Sequence, residues 1–368
     1  TCHSNECSNE SKTIVSLAFS DKKIDKLKAD VSLNNLSIRS TTSKALLNAK
    51  LLAGLLTWEK TQKATTITGQ NIKLDAENNF HINNGSGFVS RSIKNNEPWV
   101  NASIKLDTFD LSYLGQLQKV IQLPTQISQP LKALKPQGRL SDINIRLQGN
   151  PENPSHYAIE STFKSLSMNP YLNIPGFNNL SGEVEANEDS GTLQLSSSNA
   201  YVNIKDILRW PIPLTTLNGK VSWHKNNGKL KIVANDIVLA NPHLNGTLNA
   251  IYDMNGAKGG YLYLNGKFEN GDAKFAPFYY PLIIGEETIG WLDTSIISGK
   301  ANNVQLTVKG SIDDFPYVDK TNKPDPSLGT FRFSARIDDA VLEYGNNWPR
   351  IEGLGLNMLF EGNSMMLD

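Results

Sequence analysis

Five histidines, two cysteines and a few paired carboxylates are the side chains with which this chain could hold a metal or move a proton. Their spacing supports neither. Cys2, His3 and Cys7 crowd the N-terminus, but a zinc site takes a full tetrahedral ligand set, and no fourth ligand follows at the usual spacing. A Cys2–Cys7 disulfide would close only a trivial loop. The rest of the chain is cysteine-free, so no disulfide framework holds the fold. His81, His156, His224 and His243 each stand far from another His or Cys and read as surface or turn residues. Glu183 and Glu185 alternate on a strand, both toward solvent. Glu286 and Glu287 suit the first turn of a helix, and Asp313-Asp314 before Phe315-Pro316 reads as a turn. General acid–base work needs two carboxyls in contrasting environments, and none of these pairs supplies that. HExxH, GxSxG, Walker A and a strand-following GxGxxG are absent; Gly353-Leu354-Gly355 reads as strand. The expectation is a protein that is not an enzyme and needs no metal and no cofactor.

Binding chemistry is equally constrained. Lys+Arg is 36 and Asp+Glu is 36, giving a formal net charge of zero. No basic run occurs, so neither nucleic acid nor an anionic lipid surface is the expected partner. The six tryptophans are spread along the chain and read as core or groove lining. No segment reaches the ~20 apolar residues of a membrane helix; the nearest, Ala45 to Trp58, is broken by Asn48 and Lys50. The chain starts without Met or a signal peptide and stops directly after Met365, Met366 and Leu367. It is therefore expected to be a fragment of a longer protein.

The elements that must position these residues are strands. Ile143, Ile145 and Leu147 alternate with polar residues, as do Val304, Leu306 and Val308, and Phe331, Phe333, Ala335 and Ile337. Such period-two runs predict half-buried antiparallel strands, roughly twenty of them from about residue 13 to the end. Asn226-Asn227-Gly228, Asn255-Gly256, Asn270-Gly271, Gly345-Asn346-Asn347 and Glu361-Gly362-Asn363 supply turns between them. Helices are few. Leu114, Leu117 and Ile121 share a helical face before Pro124, a second short helix is predicted near Gln126 to Leu134, and a third spans 286–297 with Gly299 as its C-terminal cap. Residues 44–58 fit either state, and 49–59 are assigned as strand. The organisation expected is an N-terminal part, 1–136, including short helices near 111–134, and a second part, 137–368, the two forming one continuous fragment. The stretch from Asp319 to Ser327 reads as a loop inserted between strands.

So many one-sided strands present more apolar surface than three short helices cover. Either the sheet closes on itself as a sandwich or barrel, or the face serves something apolar that is not protein. Periodicity alone favours closure.

From residue 137 onward, specific motifs recur in order. They run from Gln137-Gly138-Arg139-Leu140-Ser141-Asp142 through Ile174-Pro175-Gly176-Phe177, Leu217-Asn218-Gly219 with Val221-Ser222-Trp223, and Leu239-Ala240-Asn241-Pro242. Tyr279-Tyr280-Pro281, Trp291-Leu292-Asp293, Asp314-Phe315-Pro316, Gly329-Thr330-Phe331-Arg332 and Trp348-Pro349-Arg350-Ile351-Glu352-Gly353-Leu354 follow. This order resembles the central region of the YhdP-type AsmA-like proteins. The resemblance covers about two-thirds of the chain; residues 1–136 carry weaker markers. It implies a mainly β protein in which a long twisted antiparallel sheet curls into an open groove of the repeating β-groove type, as in chorein-like bridge proteins. Roughly twenty strands at ~4.8 Å would give a groove on the order of 90–100 Å long.

The function it implies is that of a periplasmic segment of a bridge-like transporter that moves phospholipids between inner and outer membranes. The partners are then phospholipid acyl chains, an inner-membrane anchor in a segment outside this chain, and envelope proteins at either end. The alternatives are a scaffolding factor in envelope assembly with a closed β core, or a carbohydrate-binding β module. On the lipid reading, the groove candidates are Ile143, Ile145, Leu147, Val221, Trp223, Leu262, Leu264, Val304, Leu306, Val308, Phe331 and Phe333. The competing reading packs many of them beneath the helices at 111–134 and 286–297.

Overall fold

The computed structural model describes residues 11–20, 23–39, 46–77, 80–115, 118, 125–172, 174–254, 259–345 and 348–368. Cys2, Cys7, Asn255-Gly256, Asn346-Asn347 and Pro124 lie outside them. The described residues form nineteen strands, assigned to one antiparallel sheet that does not close into a barrel, with a few short helices. The chain divides into two compact units, residues 1–166 with 183–188 and residues 167–182 with 189–368.

The first unit is a meander. Its strands are β1 Lys12–Ser20, β2 Lys23–Arg39, β3 Leu46–Lys60, β4 Ala64–Ala76, β5 Phe80–Lys94, β6 Glu97–Asp110 and β7 Gln137–Gly149, followed by most of β8 Pro154–Met168. From β1 to β7 each strand pairs antiparallel with the next. Between β6 and β7 stand a 3-10 turn, Leu111–Tyr113, and helix α1, Thr125–Leu134. The ambiguous stretch before Trp58 is strand β3. Its leucines lie on both faces, which imitates helical spacing.

Strand β9, Gly176–Asn187, has residues in both units. The second unit continues with β10 Ser190–Asn203, β11 Ile212–Asn226, β12 Lys229–Ala240, β13 Asn245–Asp253, β14 Tyr261–Glu269 and β15 Gly271–Asp272. Helix α2, Glu286–Ser295, precedes β16 Ile296–Ser311, β17 Gly329–Leu342, β18 Ile351–Glu361 and β19 Ser364–Leu367. The third predicted helix is thus present but ends earlier than expected. Ile296 donates to the Leu292 carbonyl and is already extended, so the chain passes straight into β16. Gly299 is a strand residue rather than a cap; a Cβ there would press on the Ile337 side chain.

One local device recurs in both units. Leu33-Asn34-Asn35-Leu36, Gly69-Gln70-Asn71-Ile72, Leu140-Ser141-Asp142-Ile143, Ala234-Asn235-Asp236-Ile237, Ala301-Asn302-Asn303-Val304 and Ile337-Asp338-Asp339-Ala340 share a pattern. In each, the third residue is left-handed, with φ of 52°, 53°, 53°, 48°, 53° and 51° respectively. Asn and Asp tolerate that conformation where other side chains resist it. Two residues then separate successive apolar positions on one face instead of one. At Asn71, Asp236, Asn303 and Asp339 the register shifts by one residue, and at Asn35 and Asp142 the paired strand skips a residue too; bulges bend a strand and sharpen its twist while keeping its apolar set on one side.

Candidate functional site

Directly opposed residues of an antiparallel pair share a face, so the register tells which side chains line up. In the first unit, one row runs Leu17, Leu27, Trp58, Ile67, Val89, Ala102 and Leu147 from β1 to β7. The next row on that face is Val15, Ala29, Leu56, Gly69, Gly87, Ile104 and Ile145. Beyond it, Ile72, Gly85, Leu106 and Ile143 face one another. On the reverse face Lys26, Glu59, Thr66, Ser90, Asn101 and Gln148 form one continuous polar row, and the next, from Lys28 to Arg146, is interrupted by Phe88.

The two margins of this apolar face differ. At one, Ala49, Ala76, Phe80, Phe109 and Ile143 form a dry cluster. Leu111, Tyr113 and Leu114 of the turn after β6 pack against it. Phe80 is 2 % exposed and meets the Phe109 ring edge-on at 5.9 Å and the Tyr113 ring at 5.3 Å. At the other margin Ile67, Val89 and Ile104 are 53 %, 39 % and 42 % exposed. The same face is therefore a core at one edge and an uncovered apolar surface at the other.

The second unit repeats the arrangement. Leu193, Val221, Ala234, Ala250, Leu264, Val308 and Phe331 form one row across β10 to β17. Trp223, Ile232, Tyr252, Leu262, Gly310 and Gly329 form the row to one side of it. To the other side run Ile237, Leu248, Gly266, Leu306, Phe333, Phe360 and Met365. The opposite face carries Asn249, Asn265, Thr307, Arg332 and Glu361 in one row, interrupted in the next by Val233, Ile251 and Tyr263.

In this unit, unlike the first, both margins carry covering residues. After β16 the chain turns back and lays Tyr317 over the Gly310–Gly329 pair, where a Cβ on either glycine would meet its ring. Tyr317 is 1 % exposed, and Phe315 beside it contacts Phe331 at 5.1 Å between ring centroids. Toward the bulge line, Val304, Ala335, Ile337, Ala340 and Leu356 form a second dry cluster.

The groove candidates fall on these faces: Ile143, Ile145 and Leu147 in the first unit, the others in the second. They are not equivalent. Ile143, Val304 and Val308 are buried, Ile145 and Phe333 pack against the dry clusters, and the remaining ones are half-buried. Ile143 packs beneath the turn after β6, as the competing reading expected. Ile67, Val89 and Ile104, exposed apolar residues of that face, were not singled out from the sequence. Their strands alternate as clearly, but Gly69, Gly85 and Gly87 interrupt the apolar run and weaken the signal.

One buried polar constellation also escaped the sequence reading. His243 is not a surface residue. It is 5 % exposed, stacked on Phe275 at 4.0 Å and near Phe278 at 4.6 Å. Asn241 donates to the Tyr279 hydroxyl at 2.9 Å, and that oxygen lies 3.1 Å from His243 Nδ1. Burial depresses the imidazole's proton affinity and favours a neutral ring that accepts the Tyr279 proton. Nearby, Arg209 donates to both Asp293 carboxylate oxygens at 2.7 Å and to the Pro277 carbonyl at 3.2 Å. The hydrogen bond from Arg209 holds the Asp293 carboxyl below its ordinary range, and desolvation pushes the adjacent Tyr280 phenol well above its own. The fork ties α2 to the segment before β11, and its bidentate geometry is that of a fastening, not a reaction centre. Among the described residues, no group of three His, Cys, Asp or Glu is placed to hold a metal, and no helix is long and apolar enough to cross a membrane.

Fold and face together define a repetitive antiparallel β protein in which each unit has one predominantly apolar sheet face. Within that class the chain belongs to the YhdP family, whose description as YhdP protein matches residues 11–368. The chain is 20% identical over 261 residues to the intermembrane phospholipid transporter YhdP of Escherichia coli (strain K12), an alignment that covers 69% of this chain. The chain spans about a fifth of that relative's length, 20%. No solved structure matches.

Proposed function

We propose that the apolar face of each unit carries phospholipid acyl chains, and that the chain is a segment of a transporter moving phospholipid between two membranes. In a Gram-negative envelope such a segment lies in the periplasm, tethered to the inner membrane through a part of the protein outside this chain. The observation that carries the reading is the uncovered margin in the first unit, where Ile67, Val89 and Ile104 leave apolar side chains to solvent on adjoining strands. A closed scaffold core would cover that margin. Leaving a bilayer exposes each acyl methylene to water at about 0.8 kcal/mol, and an apolar face removes most of that barrier with no chemistry. The relative's name as an intermembrane phospholipid transporter supports the same substrate.

The test is the lipid content of the 368-residue chain made in a bacterial periplasm and washed free of membrane. Phospholipid is expected by mass spectrometry in the parent, and little in Ile67→Asp/Val89→Asp/Ile104→Asp, with circular dichroism unchanged because all three side chains already touch water. A folded, lipid-free parent would overturn the reading in favour of a scaffold.

A further inference from the structure

On β3, β4 and β5 the open margin of the first unit ends in a row that is no longer apolar, which continues on β6 as the buried Val100. Beyond Trp58, Ile67 and Val89, the next residues on the same face are Lys60, Thr65 and Arg91, opposed in register on β3, β4 and β5. Lys60 and Arg91 are exposed and Thr65 is half-buried between them. Lys26 and Glu59 pair with each other on the reverse face. Among the described residues, neither Lys60 nor Arg91 is engaged by a carboxylate. Two strand spacings, about 10 Å, separate their backbones, and both side chains are long enough to converge on one anion over the Thr65 hydroxyl. The opposite margin of the face is closed by the Phe80 cluster, so across the strands a lipid's polar end can reach water at the margin that Lys60 and Arg91 line.

We propose that Lys60, Thr65 and Arg91 hold the phosphate of a phospholipid whose acyl chains lie over Ile67, Val89 and Ile104. This deepens the function proposed above and rests on the same face being a lipid track. A two-residue step along a strand, about 6.6 Å, separates the cationic row from the first apolar row, which suits a phosphate joined to its chains through glycerol. The rim then does more than tolerate a head group. It selects lipids with a phosphate over neutral diacylglycerol and fixes which way each lipid faces.

The experiment titrates the 368-residue chain with two probes bearing the same fluorescent acyl chain, phosphatidic acid and diacylglycerol. The parent is expected to bind phosphatidic acid more tightly. Lys60→Glu/Arg91→Glu should weaken phosphatidic acid roughly tenfold, because two exposed cations that attract the phosphate become anions that repel it, and leave diacylglycerol unchanged. Lys60→Gln/Arg91→Gln should fall between. Equal weakening of both probes, or no change for phosphatidic acid, overturns the rim assignment while the lipid track stands. A parent that binds neither probe overturns both. Inorganic phosphate competing as well as phosphatidic acid would make the row a free-phosphate site and refute the lipid assignment.

Discussion

Phe80 and Ile104 stand on the same apolar face of the same unit, and the structure gives them opposite roles. Phe80→Ala removes a side chain that is 2 % exposed and packed against Phe109 and Tyr113. Large-to-small changes of this kind cost about 3–5 kcal/mol, and the aromatic neighbours place this one toward the upper end. Ile104→Ala removes one that is 42 % exposed. It loses only part of the transfer term and leaves no closed cavity, so about 1 kcal/mol is expected. A chain with two units need not unfold in one step, so local stability is best read from hydrogen exchange of the β5 and β6 amides. Lipid retention, measured on the same proteins, should run the other way. Ile104→Asp should lose bound phospholipid at near-parental stability, and Phe80→Ala should keep it as long as the unit stays folded. If Ile104→Ala were as destabilising as Phe80→Ala, the open margin would be ordinary core, and its exposure would no longer mark a binding surface.

Two further outcomes follow from other parts of the molecule. Burial lowers the His243 pKa below its ordinary 6.5, so the unfolded chain binds the proton more readily. The stability contributed by the neutral ring is complete above the unfolded value, falls as pH drops below about 6.5, and levels off below the folded value; thermal melts across that window should show the slope, and His243→Phe should flatten it. At the bulge in β12, Asp236 has φ 48°; Asp236→Ala should cost about 1 kcal/mol and Asp236→Gly much less, which exchange of the β12 amides would reveal, and equal costs would mean that the left-handed backbone is not what selects the residue.

Much of the fold was legible because most strands are one-sided. Leu262 and Leu264, or Val304, Leu306 and Val308, announce a shared face by alternation alone, and alternation survives whatever the partner strand is. What alternation does not carry is which edge of that face is covered. Ile143 and Ile145 look alike in sequence, yet Ile143 is buried under residues that lie far along the chain from it. The same holds for Val304: an aspartate there would break a dry cluster with Ala335, Ile337 and Leu356 before it blocked any lipid. His243 was unreadable for a related reason, since its neighbours Phe275 and Tyr279 are joined to it by a loop and not by a period.

The bulges are the feature that sequence did hold and that period-two reading passes over. A strict strand places its apolar residues at every second position, and a stretch such as Ala234-Asn235-Asp236-Ile237 looks like a break in it. The pairing shows the opposite: Ala234 and Ile237 stay on one face, opposed to Ala250 and Leu248 of β13. A one-residue insertion left in extended backbone would move every later side chain to the wrong face; here the Asn or Asp at the third position takes the left-handed turn that keeps the apolar set together while the strand bends. The device recurs from Asn35 to Asp339, and the dry clusters straddle it: Leu140 and Ile143, Ala301 and Val304, and Ile337 and Ala340 flank a left-handed residue and belong to one cluster or the other. In the first unit, Asp142 separates Leu140 from Ile143, Ile145 and Leu147, and exposure of the face grows in the direction of Leu147. A bend at that line lets apolar residues on both sides of it converge on one dry cluster, and the asparagines and aspartates are its record in the sequence.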